Sequence, residues 1–197
     1  VLSPSETDLT DTKLTALKEK GYLDLRTDIL LPLLTKSANY WDQMMSPEYY
    51  TDAEGTVIYK KGKTELKEGE KYAILPSYSP ENNPANYPSP SVANSAIDIS
   101  ACKSNLEMLI EIMKSVDENA DTSYWENLLK NVPDYLYDKT GAIKEWAATD
   151  FEENNLHRHL SHLYCVWPMF ETQDNEALYV ACVQAIENRA SENNASH

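Results

Sequence analysis

Apolar side chains recur every three or four residues over several stretches of the chain, which is the spacing of one face of an α-helix. The longest stretch covers residues 97–116 and leaves only a narrow strip of polar positions. A helix of that pattern is buried over much of its circumference. Shorter stretches with the same spacing predict further helices at 10–20, from about 24, at 32–45, at 122–129 and at 175–192.

The pattern changes between residues 50 and 75. Short runs rich in aromatic and branched apolar residues are separated here by Gly55, Gly62 and Gly69, which is typical of strands joined by turns. We therefore expect one or two β-hairpins between helices. The fold class predicted from the whole pattern is mainly α, with a small β-hairpin insertion.

Length, charge and cysteine content narrow the class of protein. The 197 residues are enough for one domain with a core of its own. With 17 basic against 32 acidic residues, neither nucleic acid nor an anionic membrane is expected as a partner. No apolar run approaches the roughly 20 residues of a membrane span. Cys102, Cys165 and Cys182 lie among apolar neighbours without metal-binding spacing, so we expect buried structural thiols.

A long loop is predicted at 76–94, because this segment contains five prolines, and ordered loops of such length are usually functional. Within it, Glu81 follows Pro80. Tyr78 and Tyr87 could provide apolar walls, which raise the pKa of a carboxyl group by desolvation. A glycosidase needs one carboxyl group kept protonated as a proton donor. A solvated glutamate in a proline-rich turn is the alternative.

Three of the four histidines lie within the sequence His-Arg-His-Leu-Ser-His at 157–162. As a metal site the spacing is weak, because the chain has no His-Glu-x-x-His motif and no cysteine stands next to the histidines. The imidazoles of His157 and His159, with the Arg158 guanidinium, are good hydrogen-bond donors for sugar hydroxyls. Structural histidines bonded to buried carbonyls are the alternative, and we expect at least His162 to be of that kind.

Glu145 and Trp146 precede the histidines by about a dozen residues. A tryptophan can stack on the apolar face of a sugar, and a neighbouring acid can bind its hydroxyls. A core tryptophan beside a glutamate on a helix surface would give the same sequence, so both interpretations stay open.

Taken together, these segments resemble glycoside hydrolase family 95, the inverting α-1,2-L-fucosidases and their relatives. Order and spacing agree from about residue 22 to the end of the chain. The stretches that carry the resemblance are Leu-Pro-Ser-Tyr-Ser-Pro-Glu-Asn (75–82), Ser-Ala-Ile-Asp-Ile (95–99), Gly-Ala-Ile-Lys-Glu-Trp (141–146), His-Arg-His-Leu-Ser-His-Leu-Tyr-Cys-Val-Trp-Pro (157–168) and Ala-Ile-Glu-Asn-Arg (185–189).

The resemblance implies an (α/α)6 barrel catalytic domain in which Glu81 is the general acid. It also implies that His157 and His159 line the sugar pocket. Arg158, Glu145 and Trp146 are the further candidate substrate-binding residues. The implied substrate is a terminal α-L-fucoside on a glycan, and no metal or organic cofactor is implied.

The chain departs from the family on the base side of the site. In the family, water is activated by an Asn-x-Asn segment, assisted by an aspartate, and neither has a counterpart here. Twelve barrel helices also need more chain than 197 residues. We therefore expect residues 1–197 to be an incomplete segment of the catalytic domain, inactive by itself, with the rest of that domain as its partner.

An incomplete barrel should leave apolar flanks uncovered on its terminal helices. The residues predicted to lie on such flanks are Leu34, Trp41, Met45, Leu178, Cys182 and Ile186. Two other functions stay open, an α-L-galactosidase of the same family and a non-catalytic helical module that binds glycans or serves as a scaffold. The first residues lack the regions of a signal peptide, which leaves the location undecided, secretion and the cell surface included.

Overall fold

The computed structural model describes residues 25–192, so the helix predicted at 10–20 lies outside the described residues. The described part is mainly helical, as the apolar spacing predicts. A π-helical segment, Leu25–Leu30, runs directly into the first α-helix, and a 3₁₀-helix spans Ser161–Cys165. The α-helices are α1 (Leu31–Met44), α2 (Ala96–Val116), α3 (Ser123–Lys130) and α4 (Glu176–Glu192).

The residues between α1 and α2 form a three-stranded antiparallel sheet instead of separate hairpins. Its strands are β1 (Met45–Thr51), β2 (Val57–Tyr59) and β3 (Lys71–Ile74), with β1 in the centre. Tyr50 of β1 faces Ile58 on one side and Tyr72 on the other. Since β1 begins directly after α1, the sheet lies against the helical core, and its third strand delivers the chain to the long loop.

Helix α2 supplies the centre of the core. Its inner face, which includes Ile99, Leu106 and Leu109, is fully buried. This agrees with the wide apolar surface in its sequence, since such a helix needs partners on several sides. The three cysteines are buried and free, as predicted. None of the described helices is long and apolar enough to cross a membrane.

Asn94 connects the sheet to the segment that precedes α2. Its side-chain Oδ1 accepts a hydrogen bond from Ile74 N, and its Nδ2 donates to Thr51 Oγ1 and to the Ala147 carbonyl. The residue is fully buried and has a φ of 53°, a left-handed conformation that asparagine tolerates better than most residues. One side chain therefore holds β1, β3 and the segment around 145–147 together.

The (α/α)6 barrel expected from the resemblance is not confirmed, because the described residues contain four α-helices. The predicted apolar flanks were wrong in most of their residues. Leu178, Cys182 and Met45 are buried, and Leu34 and Trp41 pack against the core. The exposed apolar face of α4 is formed by Tyr179, Val180, Val183 and Ile186. We call these four residues the α4 outer face.

We predict that Asn94→Ala lowers the free energy of unfolding by about 2–4 kcal/mol. The substitution leaves buried backbone groups without partners and places an alanine in the left-handed region. Urea unfolding measures the loss. Asn94→Gly is the matched control, since it removes the same amide without the conformational cost, and its stability should lie between the other two. A loss below about 0.5 kcal/mol for Asn94→Ala would contradict this role.

Candidate functional site

Glu81 lies at the surface, in a turn of the long loop, and its side chain is 61% exposed. Its Oε2 is 2.8 Å from Nη2 of Arg158 and 3.9 Å from Nδ1 of His159. Tyr78 and Tyr87, the apolar walls predicted for it, are both exposed, and the Tyr87 ring packs on Phe151. The carboxyl group is therefore open to solvent, with the Arg158 guanidinium and the His159 imidazole as neighbours.

His157 and His159 stand next to each other beside Glu81. Their ring centroids are 4.9 Å apart, edge to face, and one ligand atom each from Glu81, His157 and His159 lies within 4.8 Å of the other two. Residues 157–158 form a bend and 159–160 have no regular secondary structure, so the segment is not a helix. Burial lowers the pKa of His157, helped by the neighbouring His159, so the ring of His157 is neutral at physiological pH.

The turn that carries Glu81 is fixed from below by Glu145. The Glu145 side chain is fully buried. Its Oε1 accepts a hydrogen bond from Ser79 Oγ at 2.6 Å, and its Oε2 accepts one from Asn82 Nδ2 at 2.7 Å. Because Ser79 and Asn82 stand on either side of Pro80 and Glu81, the buried carboxylate determines where the exposed carboxylate lies.

Arg189 of α4 joins the histidine segment to the same carboxylate. Its side chain is 4% exposed, and its Nη2 donates to Glu145 Oε2 at 2.8 Å. Its Nη1 donates to the backbone carbonyls of His157 and His159. The Glu145–Arg189 ion pair therefore holds both segments of the site, the turn with Glu81 and the turns with the two histidines.

His162 is part of the interior, as predicted. It is buried at the start of the 3₁₀-helix, with Nδ1 4.0 Å from Glu145 Oε2. Burial lowers its pKa to about 4, although Glu145 opposes the shift. Its imidazole is therefore neutral at physiological pH, and its contact with Glu145 is not an ion pair.

The structure brings Glu81, His157, Arg158 and His159 together at the surface. Glu145 and Trp146 lie beneath them and are fully buried. A direct sugar contact by Glu145 or Trp146 stays a prediction. Their burial places both side chains under the surface residues of the site. The fold explains this, because Ala96 N donates to the Glu145 carbonyl at the start of α2 and thereby fixes the segment in the interior.

Four further residues belong to the site but were not predicted from the sequence: Arg189, Ser79, Asn82 and Glu153. Arg189 stands in the apolar stripe of α4, and a charged residue in such a stripe needs a buried partner. That signal was available in the sequence, but it could not name Glu145 as the partner. Glu153 gave no sequence signal. Its Oε2 accepts a hydrogen bond from Glu145 N at 2.9 Å.

An exposed carboxylate beside imidazole and guanidinium groups, on turns fixed by a buried ion pair, is the kind of site that hydrolases use for acid–base chemistry. The model of the glycosyl hydrolase family 95 catalytic domain matches residues 27–196. The chain therefore belongs to glycosyl hydrolase family 95. This membership supports glycoside hydrolase activity and a glycan as the substrate class. No curated protein matches the chain significantly.

We predict that Glu145→Gln lowers the free energy of unfolding by about 3–5 kcal/mol, because it leaves the Arg189 guanidinium buried without a counter-charge. Urea unfolding at neutral pH measures the effect. Glu126→Gln is the matched control, since Glu126 pairs with Lys114 at 2.7 Å on the surface and such pairs contribute little. Equal losses of unfolding free energy in Glu145→Gln and Glu126→Gln would show that the buried pair stabilises the fold no more than the surface pair does.

A second prediction concerns pH. Burial raises the pKa of Glu153 to about 7, above its unfolded value, so the folded state holds a proton that the unfolded state releases. This group therefore destabilises the protein as the pH rises from about 4.5 to about 7. Glu153→Gln removes the titration and keeps an acceptor for Glu145 N. Its stability advantage over the native protein should grow with pH, to at most about 3 kcal/mol above pH 7.

Unfolding curves at several pH values from about 4.5 to 8 test this prediction. Glu152→Gln is the control, because Glu152 is the exposed neighbour in sequence. A stability difference between Glu153→Gln and the native protein that does not change with pH would contradict the buried, protonated state of Glu153.

Proposed function

We propose that this chain forms part of the active site of an inverting exo-α-L-fucosidase that acts on terminal α-1,2-linked fucosides of glycans. Glu81 is the general acid that protonates the glycosidic oxygen. The observation that carries the proposal is the position of Glu81, exposed at the tip of a turn whose flanking residues Ser79 and Asn82 bind a buried carboxylate. A proton donor must be accessible to the substrate and fixed in place.

His157, His159 and Arg158 are the groups that bind the sugar. They offer ring N–H and guanidinium N–H donors next to Glu81, which suits the hydroxyls of a monosaccharide. Glu145 and Trp146 act on the sugar through these residues, as positioning residues, since both are buried. The turns that present the three binding groups are held by Arg189.

The ion pair between Glu81 and Arg158 defines the first step. A carboxylate that is paired with a guanidinium does not carry the proton that the leaving oxygen needs. Arg158 is 59% exposed, so its long side chain is able to leave Glu81 and bind a sugar hydroxyl instead. Substrate binding then releases Glu81 from the ion pair, and the exposed carboxylate takes up a proton from solvent. The protonated Glu81 forms a hydrogen bond with the glycosidic oxygen.

The groups that activate water are proposed to lie outside this chain, in the remainder of the catalytic domain. In an inverting enzyme they stand about 6.5–9.5 Å from the acid, on the opposite face of the sugar. The α4 outer face supports this arrangement. Four apolar side chains are exposed on this one side of the helix, and a contiguous patch of that kind is normally covered. By itself, the chain is then inactive.

We predict that Glu81→Gln in the protein that contains this chain lowers turnover of an α-1,2-linked fucosyllactose by about 10²–10⁴-fold, because the leaving oxygen receives no proton. Hydrolysis of an aryl fucoside with a good leaving group should fall far less, since a stable phenolate leaves without a proton. Glu118→Gln, which removes another exposed carboxylate, is the control and should keep native turnover on both substrates.

Equal losses on the two substrates, or none on fucosyllactose, would contradict the role of Glu81. A native protein that binds the fucoside without hydrolysing it would instead be a glycan-binding module. Faster turnover of the matching α-L-galactoside than of the fucoside would move the specificity to the related sugar and leave the role of Glu81 intact.

A further inference from the structure

The two imidazoles and the carboxylate at the surface form a donor set for a metal ion. One ligand atom from each of Glu81, His157 and His159 lies within 4.8 Å of the others. In a tetrahedral zinc site with bonds of about 2.0–2.2 Å, neighbouring donor atoms are about 3.3–3.5 Å apart. The 3.9 Å between His159 Nδ1 and Glu81 Oε2 is already close to that separation, and the other donor atoms lie within 4.8 Å of one another.

The backbone that carries the three donors is fixed independently of any ligand. The carbonyls of His157 and His159 both accept hydrogen bonds from Arg189. The Pro80 carbonyl, next to Glu81, accepts one from Ser161 Oγ at 2.6 Å. Donors on fixed backbone lose little conformational entropy when a metal binds. The almost perpendicular rings of the two histidines, at 82°, also let both nitrogens approach one point from different directions.

A second observation points to a ligand at His157. Its Nε2 is buried and has no hydrogen-bond partner among the described residues, although buried polar atoms nearly always have one. A metal ion bound through this nitrogen would satisfy it.

We propose that Glu81, His157 and His159 bind a divalent transition-metal ion of the Zn²⁺ type, with Arg158 displaced from Glu81, and that the bound ion inhibits hydrolysis. The donor set favours zinc over Mg²⁺ or Ca²⁺, which prefer oxygen ligands. Three protein ligands leave a fourth position for water. Zinc binding is inferred from the geometry alone. The inhibition rests on the proposed function, because a carboxylate that ligates zinc cannot hold the proton for the glycosidic oxygen.

Isothermal titration calorimetry with ZnCl₂ tests the binding, on tag-free protein that contains this chain and at about pH 7.5. We expect one zinc ion per chain. His157→Gln, His159→Gln and Glu81→Gln should each weaken it by about tenfold or more, because loss of even the outer partners of a zinc ligand weakens binding by about 10–100-fold. His197→Ala is the matched control, as it removes a histidine outside the described residues, and MgCl₂ is the control for hard cations.

Absence of zinc binding by the native protein would overturn the site, as would a loss of binding in His197→Ala together with native binding in the other three variants. Far-ultraviolet circular dichroism of each variant shows whether the fold is kept. A variant that unfolds is replaced by Arg158→Gln, which leaves the three ligands in place and removes a competing cation, so it should bind zinc more tightly. Unchanged or weaker zinc binding by Arg158→Gln would contradict the proposal that zinc displaces Arg158 from Glu81.

Inhibition is measured as turnover of the aryl fucoside and of fucosyllactose with rising ZnCl₂, followed by chelator. The proposal predicts a loss on fucosyllactose that the chelator reverses, at the zinc concentration that saturates the calorimetric site. Saturated zinc binding with full turnover of fucosyllactose would overturn the inhibition and leave the metal site in place. Whether Glu81 is the acid is decided separately, by turnover in Glu81→Gln without zinc. The failure of each part is therefore distinguishable.

Discussion

The buried ion pair between Glu145 and Arg189 is the interaction on which the arrangement of this site depends. It joins α4 to the segment around residue 145, between α3 and the 3₁₀-helix, and each partner then reaches a different part of the surface. Glu145 holds the turn around Glu81 through Ser79 and Asn82. Arg189 holds the histidine segment through two backbone carbonyls. A buried pair contributes little net stability when its desolvation is counted, so its main effect here is to specify position.

Function follows from the contrast between the two carboxylates. Glu145 is fully buried and Glu81 is 61% exposed, yet they belong to one hydrogen-bonded arrangement. The buried carboxylate is paired with the Arg189 guanidinium and is closed off from solvent. The exposed one is held on a fixed turn and is open to solvent, and in our proposals it contacts a glycan or a metal ion. A site of this kind combines a fixed backbone with a side chain that changes partners, as the Arg158 ion pair must when a substrate binds.

The sequence predicted the helices well because their apolar spacing reports burial directly, and α2 and α4 begin within one residue of the expected positions. It also named Glu81, His157, Arg158 and His159, since these residues carry a recognisable motif. It left open whether Glu145 and Trp146 lie on the surface or in the core, because a glutamate beside a tryptophan gives the same sequence in both positions. The burial of Glu145 and Trp146 depends on contacts of their segment with Asn94 and Arg189, which are distant in sequence. The full extent of β1, its central place in the sheet and most of the α4 outer face were not predicted, since pairing and coverage are tertiary properties.

The most direct test of this account is a crystal structure of the protein that contains this chain, bound to a slowly hydrolysed fucoside with sulfur in place of the glycosidic oxygen. We expect a carboxyl oxygen of Glu81 within hydrogen-bonding reach of that sulfur, the Arg158 guanidinium moved from Glu81 to a sugar hydroxyl, and Glu145 still bonded to Arg189. A bound sugar remote from Glu81, with the Glu81–Arg158 ion pair intact, would contradict the account.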